Sequence, residues 1–154
     1  NQINTWLAAG AGSVEVTGFQ LEVGEVTSPI FEHRTYGDEL LRCQRYYQLL
    51  AKGTSKFIGI GDMHTATQVD LVYYLLTLMR ATPDIVQDTG GNYFAVNAAS
   101  GQSGNVDGAW TKWLAHDGPA ITIYATVDTS LTAGQAARIT TNNASALLAL
   151  EAEL

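Results

Sequence analysis

The sequence predicts a mainly β protein: an antiparallel, jelly-roll-like β-sandwich preceded by a strand and one short α-helix. Three observations predict this class. The second part of the chain consists of short apolar runs separated by clusters of Gly, Asn, Asp and Pro, the composition of turns. Residues 120–127 alternate apolar and polar side chains, as a half-buried antiparallel strand does. One segment after Pro29 instead repeats its apolar residues at helical spacing.

The first predicted strand covers residues 14–23. Its apolar side chains lie on one face before Gly18 and on the other face after it. A glycine at this place favours a β-bulge, although a strand buried on both faces would show the same pattern.

A short helix is predicted over about residues 37–47. Thr35 and Asp38 match the Ser/Thr-x-x-Asp/Glu pattern that begins a helix, and the apolar residues that follow recur at helical spacing. We expect the basic face of this helix, Arg42 and Arg45, to be solvated or paired with the acidic residues of the first turn.

Seven further strands are predicted from residue 57 onward. They are 57–63, 69–79, 93–96, 110–115, 120–127, 136–140 and 146–151. Residues 69–79 are apolar at both parities, and their β-branched and aromatic content favours a strand over a helix. Two apolar faces on this strand indicate a subunit interface. Short strands at this spacing predict an antiparallel sandwich rather than βαβ units.

Composition and charge exclude several classes of function. The 154 residues are 46% hydrophobic and 15% charged, with a formal charge of −7. Binding to nucleic acid requires Lys and Arg to neutralise phosphates, so this charge argues against it. The longest strongly apolar run, 71–79, is far too short for a membrane span, and we expect no membrane insertion. Cys43 is the only cysteine, which excludes an internal disulfide and a Cys-based zinc site.

No motif of nucleophilic or phosphate chemistry is present. Residues 101–105 have Asn where a nucleophile elbow needs its second Gly. Residues 59–61 (Gly-Ile-Gly) lack the third Gly of a dinucleotide-binding loop, so these glycines indicate bends or close packing. Asp62, His64 and Asp70 are close enough in sequence for a weak metal site, but a polar loop between two strands is the favoured interpretation. We therefore expect no catalytic activity, no cofactor and no metal.

The stretch most suggestive of binding is 97–118, where a Gly/Ser/Asn-rich segment leads into two tryptophans. Loops on a rigid β scaffold commonly carry binding residues. An exposed indole stacks on the C–H face of a sugar, and polar neighbours bond its hydroxyl groups. Trp110 and Trp113 differ by three positions, so at strand parity one of them faces the core. The candidate ligand-binding residues are Asn105, Asp107, Trp110, Trp113 and His116.

Two neighbouring segments of the chain form a long and specific run. Residues 20–40 are QLEVGEVTSPIFEHRTYGDEL, and residues 43–47 are CQRYY. This run resembles a pattern that recurs in tail fibres and other virion proteins of tailed bacteriophages, where it is close to QLEVGxxxTPFExRxxxxEL followed by CQRYY. Ser28 stands in place of Thr, and Ile30 is an additional residue, from which we expect a local shift of the joint between strand and helix.

The resemblance implies a division of the chain. Residues 1–35 would be the end of a preceding β domain with a linker strand, 36–52 a connecting helix, and 53–154 a C-terminal β-sandwich tip domain. Segments 131–138 and 142–154 are also similar to the usual ending of such tips, which implies that the chain ends where the tip ends.

The resemblance also implies a function. It predicts the non-enzymatic tip of a tail fibre, located in the virion, homotrimeric and attached to the remainder of the fibre. Such a tip binds a glycan or an outer-membrane protein on the host cell. The alternative left open is a structural domain that assembles the trimer without contacting the receptor. A trimer would cover apolar strand faces, and three weak sites on one tip would give avidity. A glycan hydrolase is a third hypothesis, with no residue pattern to support it.

Overall fold

The computed structural model of the protein describes residues 34–88, 90–113 and 118–152. The chain divides into two units, Asn1–Thr35 and Tyr36–Leu154, and nearly all described residues belong to the second. The strand predicted over 14–23 lies outside the described residues. Within the described part, no helix has both the length and the apolarity that crossing a membrane requires.

The predicted helix is present but ends early: α1 spans Tyr36–Gln44. Arg42 Nε donates to Asp38 Oδ2 at 3.2 Å, one turn earlier, which confirms the predicted pairing. The helix ends in a turn of 3-10 type, in which Tyr46 N–H donates to Cys43 O three residues earlier.

The connecting helix predicted over 36–52 is wrong beyond Gln44, because Tyr47–Lys52 forms strand β1. β1 pairs antiparallel with β10, Leu147–Glu151. Residues 148–150 of β10 are fully buried. Their backbone groups need hydrogen-bonded neighbours on both sides, and β1 is one of them. This long-range pairing overrides the connecting helix that the resemblance implies for 47–52.

The described strands form two antiparallel sheets. Besides β1 and β10, the strands are β2 (Phe57–Thr65), β3 (Gln68–Tyr74), β4 (Asp84–Asp88), β5 (Phe94–Ala98), β6 (Ser103–Asn105), β7 (Thr111–Lys112), β8 (Ala120–Thr126) and β9 (Ala136–Thr141). One sheet has the order β1-β10-β4, and the other has the order β6-β5-β9-β2-β3-β8-β7. The protein therefore has the mainly β, antiparallel, sandwich-like class that the sequence predicts.

The seven-stranded sheet curls so that the ends of β6 and β8 meet. A bridge joins Val106, just after β6, to Val127, just after β8. Asp107 N–H also donates to Thr126 O at 2.8 Å. The inner face of the curled sheet carries most of the core. Its largest fully buried side chains include Phe94, Met63, Leu71, Ile121, Ile123 and Ile139.

Strand β8 shows the predicted alternation. Ile121, Ile123 and Ala125 are buried, whereas Thr122 and Tyr124 lie on the other face and are partly exposed. The outer face of this central region is therefore accessible.

The sequence predicts that this strand continues to Met79, but β3 ends at Tyr74. The buried Gln48 side chain accepts a bond from Leu76 N–H at 3.0 Å and donates one to Thr77 O at 2.8 Å. These backbone groups are consequently bonded to a side chain and not to a neighbouring strand.

The polar part of 97–118 contains more secondary structure than predicted. A 3-10 turn, Ala99–Gly101, leads into β6, which pairs with β5. Strands β1, β4 and β6 are additions to the predicted set. Of the strand predicted over 110–115, Thr111–Lys112 is present, and residues 114–115 lie outside the described residues.

Gly59 and Gly61 allow β2 to lie close to β3. A Cβ atom at Gly61 would overlap the carbonyl oxygen of Asp70, and one at Gly59 would lie 2.8 Å from a methyl carbon of Leu71. The sequence interpretation of close packing is confirmed. The position of Asp70 on the outer face depends on this approach.

Candidate binding site

A cluster of aromatic and polar side chains lies on the outer face of the seven-stranded sheet. Asp70 of β3 pairs with Tyr124 of β8, and Tyr124 pairs with Thr111 of β7. Trp113 continues this ladder, because its N–H donates to Thr122 O at 3.0 Å. Side chains two positions apart on a strand share a face. The outer-face cluster consists of His64, Gln68, Asp70, Trp113 and Tyr124.

Three rings of the cluster are in contact. The centroid of the Trp113 ring lies 5.3 Å from that of Tyr124, with an interplanar angle of 78°. It lies 5.2 Å from the centroid of His64, with an angle of 67°. Edge-to-face contacts of this kind match the positive edge of one ring to the negative face of another. They hold the Trp113 side chain in place although 42% of the residue surface is exposed.

The polar members of the cluster are arranged around Asp70. Gln68 Nε2 donates to Asp70 Oδ1 at 2.8 Å. His64 Nδ1 lies 3.8 Å from Asp70 Oδ2, a distance that permits an ion pair when the imidazole is protonated. The Asp70 side chain is only 14% exposed, so these two neighbours fix its orientation.

Three members of the cluster, Gln68, Trp113 and Tyr124, line an open depression of about 330 Å³. Among the described residues, Gln68 Oε1, His64 Nε2 and Tyr124 Oη have no hydrogen-bond partner. The depression therefore combines aromatic surface with free hydrogen-bonding atoms at its rim. That combination suits a small ligand that has one apolar face and polar edges.

Trp110 is not available to a ligand, which corrects its assignment as a candidate contact. It is 2% exposed and packs edge to face on Phe94, with ring centroids 6.0 Å apart. Gln87 accepts from Trp110 N–H at 2.7 Å and donates to Trp110 O at 2.9 Å. Trp110 directly precedes β7, and Trp113 directly follows it. Residues three positions apart along a strand lie on opposite faces, so Trp110 is in the core and Trp113 is outside.

Asn105 and Asp107 lie near the end of β8 and outside the cluster. Asn105 is bonded to Asp128: its N–H donates to Oδ1 at 2.8 Å and its Nδ2 to Oδ2 at 3.3 Å. This backbone bond holds the pKa of the Asp128 carboxyl below its usual value. Asp107 is exposed, and its carbonyl oxygen accepts from Thr126 Oγ1 at 2.7 Å. His116 lies outside the described residues.

Four members of the cluster were not among the candidate residues. Tyr124 was identifiable from the alternation of 120–127, which places it on the polar face. His64 and Asp70 were noted only as a weak metal site with Asp62, in a loop. The structure places all three on the outer face of β2 and β3, with Asp62 paired to Asp70. No group of three or more His, Cys, Asp or Glu side chains is placed to hold a metal in residues 34–88, 90–113 and 118–152.

Comparison with known proteins gives no match: no protein-family model, no curated protein and no solved structure is similar to this chain.

Proposed function

We propose that this chain contains the receptor-binding tip of a bacteriophage tail fibre and that the outer-face cluster contacts the receptor. The observation that carries the proposal is the Trp113–Tyr124 pair. Its two rings are held edge to face at the surface, beside side chains with free hydrogen-bonding atoms. A rigid aromatic surface of this kind gains binding energy with little loss of conformational freedom.

The receptor class comes from the resemblance of residues 19–47 and of the C-terminal segments to virion fibre proteins. Under this proposal the receptor is a glycan or an outer-membrane protein of the host bacterium. The protein is part of the virion, is homotrimeric, is joined to the remainder of the fibre and catalyses no reaction. Three copies of a weak site on one tip give the avidity that attachment requires.

The experiment that tests the proposal is adsorption to bacterial cells. Fluorescently labelled protein is added to a broad panel of strains, and bound protein is measured by flow cytometry. On a strain that binds the natural sequence, we expect Trp113→Ala and Tyr124→Ala to reduce binding by roughly tenfold or more. The matched control is Phe57→Ala, which removes an exposed ring elsewhere on β2. Binding to no strain, or equal binding by all variants, contradicts the proposal.

The second candidate function is trimer assembly without receptor contact. It is favoured by an apolar row on the same outer face: Ile60 is 68% exposed, Tyr74 is 74% exposed, and Val72 lies between them in the sheet. A second copy that covered this row would remove it from water. Under this alternative, Ile60→Lys dissociates the oligomer in sedimentation, and neither the natural sequence nor Trp113→Ala binds to cells.

A further inference from the structure

We infer that the outer-face cluster is a saccharide site that takes a neutral pyranose ring. This inference rests on the proposed receptor-binding function and narrows its receptor to a glycan. The occupant follows from three properties of the cluster: its aromatic surface, the kind of hydrogen-bonding atoms at its rim, and its charge.

The aromatic surface matches the apolar face of a sugar. A pyranose ring presents axial C–H groups on one face and hydroxyl groups around its edge. Trp113 supplies an exposed ring of comparable size, and its contacts with His64 and Tyr124 prevent it from turning away. Because two ring contacts already hold the Trp113 side chain, a stacked sugar ring does not need to order a mobile side chain, which lowers the entropic cost of binding.

The hydrogen-bonding atoms match hydroxyl groups. A sugar hydroxyl donates one proton, and neighbouring hydroxyls need acceptors close together. Gln68 Nε2 donates one of its two hydrogens to Asp70, and Gln68 Oε1 remains free to accept. The Asp70 carboxylate retains lone pairs, since a carboxylate has about four acceptor sites. Acceptors bordering an aromatic surface favour a ligand that is rich in hydroxyl donors.

The charge of the cluster favours a neutral sugar over an acidic one. Asp70 is anionic, and His64, the one cluster member able to carry positive charge, already faces it. Lys112, next to Trp113, is bonded through Nζ to Asp84. Arg138 is on β9, where it lies opposite Ile60 of β2 and Asn97 of β5 and not opposite a member of the cluster. A uronic or sialic acid stacked on Trp113 would therefore meet a carboxylate without a free cation to offset it.

The test uses the full 154-residue chain and soluble oligosaccharides. Neutral probes contain glucose, galactose, mannose or N-acetylglucosamine, and acidic probes contain glucuronic or sialic acid. Binding is measured by saturation-transfer NMR and by calorimetry. We expect at least one neutral probe to bind, and the acidic probes to bind at least about tenfold more weakly. We expect Trp113→Ala to lower the affinity for the neutral probe by roughly tenfold or more, and Phe57→Ala to leave this affinity unchanged.

A charge variant separates the electrostatic argument from the stacking argument. Asp70→Asn keeps the shape of the side chain but removes its charge. We therefore expect this variant to have a smaller difference in affinity between neutral and acidic probes. An unchanged preference in a folded Asp70→Asn variant overturns the charge assignment.

The adsorption experiment distinguishes failure of this inference from failure of the proposed function. If cell adsorption depends on Trp113 but no oligosaccharide binds, the receptor is a protein, and the saccharide inference is overturned while the proposed function stands. If a neutral oligosaccharide binds at Trp113 but cells are never bound, the saccharide site stands and the proposed function is overturned.

Discussion

The indole ring of Trp113 and the phenol ring of Tyr124 meet edge to face, with centroids 5.3 Å apart, on the outer face of a curled antiparallel sheet. Trp113 follows β7 and Tyr124 lies within β8, so the strand pairing sets their separation. Trp110, only three residues earlier, is buried in the core, whereas the Trp113 ring is held at the surface by ring contacts. The pair is therefore the most direct structural support for a binding role.

The first prediction concerns the stability of the Trp113→Ala variant. The side chain is exposed, and its loss removes two edge-to-face contacts but opens no core cavity. We expect the free energy of unfolding to fall by about 1 kcal/mol. Chemical denaturation measures this change. A decrease of several kcal/mol would mean that Trp113 is a core residue and that lost binding reflects lost folding.

The second prediction applies the same substitution to Trp110, which is buried against Phe94. Trp110→Ala leaves a large cavity, so we expect the free energy of unfolding to fall by about 3–5 kcal/mol. The Trp113→Ala variant is the matched control, because it is the same chemical change at an exposed site. Equal effects of the two substitutions in denaturation would contradict the assignment of one tryptophan to the core and the other to the surface.

The third prediction concerns the approach of β2 to β3. In Gly61→Ala the new methyl group would overlap the carbonyl oxygen of Asp70, so the strands must separate. We expect a loss of about 1–3 kcal/mol in stability, the usual range for overpacking. We also expect weaker binding, because Asp70 moves with its strand. Gly91→Ala serves as the control, since nothing lies within 4 Å of a Cβ atom there.

The fourth prediction concerns Gln48, whose buried side chain bonds Gln44 O, Leu76 N–H and Thr77 O. Gln48→Leu keeps the volume but leaves these backbone groups without partners. We expect a loss of about 2–4 kcal/mol, the cost of leaving buried polar groups unpaired. Amide hydrogen exchange at Leu76 accelerates more than exchange at Ile123 in the central sheet. Unchanged exchange at Leu76 would show that this bond does not hold the segment.

The fifth prediction is a pH dependence that arises from Asp128. The Asn105 N–H stabilises the ionised carboxylate and holds its pKa below the usual value of 3.8. A lowered folded pKa contributes stability that is present above the unfolded value and is lost as the pH falls through the folded value. Asp128→Asn therefore weakens the acid dependence of unfolding below about pH 4. The control is Asp107→Asn. Identical acid unfolding of the Asp128→Asn variant and the natural sequence would contradict this role.

The sequence was sufficient for those features that depend on local patterns. The alternation of Ile121, Ile123 and Ala125 with Thr122 and Tyr124 predicted both the strand and its buried face. The Gly-Ile-Gly segment predicted close packing, and the structure shows that packing against β3.

Features that depend on distant partners were missed. The resemblance implies a helix where β1 lies, and this segment is a strand because β10 needs a neighbour. The end of β3 at Tyr74 depends on a side chain from Gln48. The outer-face cluster combines residues of β2, β3 and β8 with Trp113, so only the register between these strands brings them together. A pattern within any single segment does not contain that information.

The most direct test of the account is the NMR signal of the tryptophan indole groups. The chain has three tryptophans, at positions 6, 110 and 113, and each gives one ¹H–¹⁵N indole resonance. The signals are assigned with single Trp→Phe variants, and a neutral oligosaccharide or surface polysaccharide of a bound strain is then titrated. The account predicts that the Trp113 resonance shifts with saturation while the Trp110 resonance does not move. A titration that shifts another tryptophan and leaves Trp113 unchanged would contradict the proposed site.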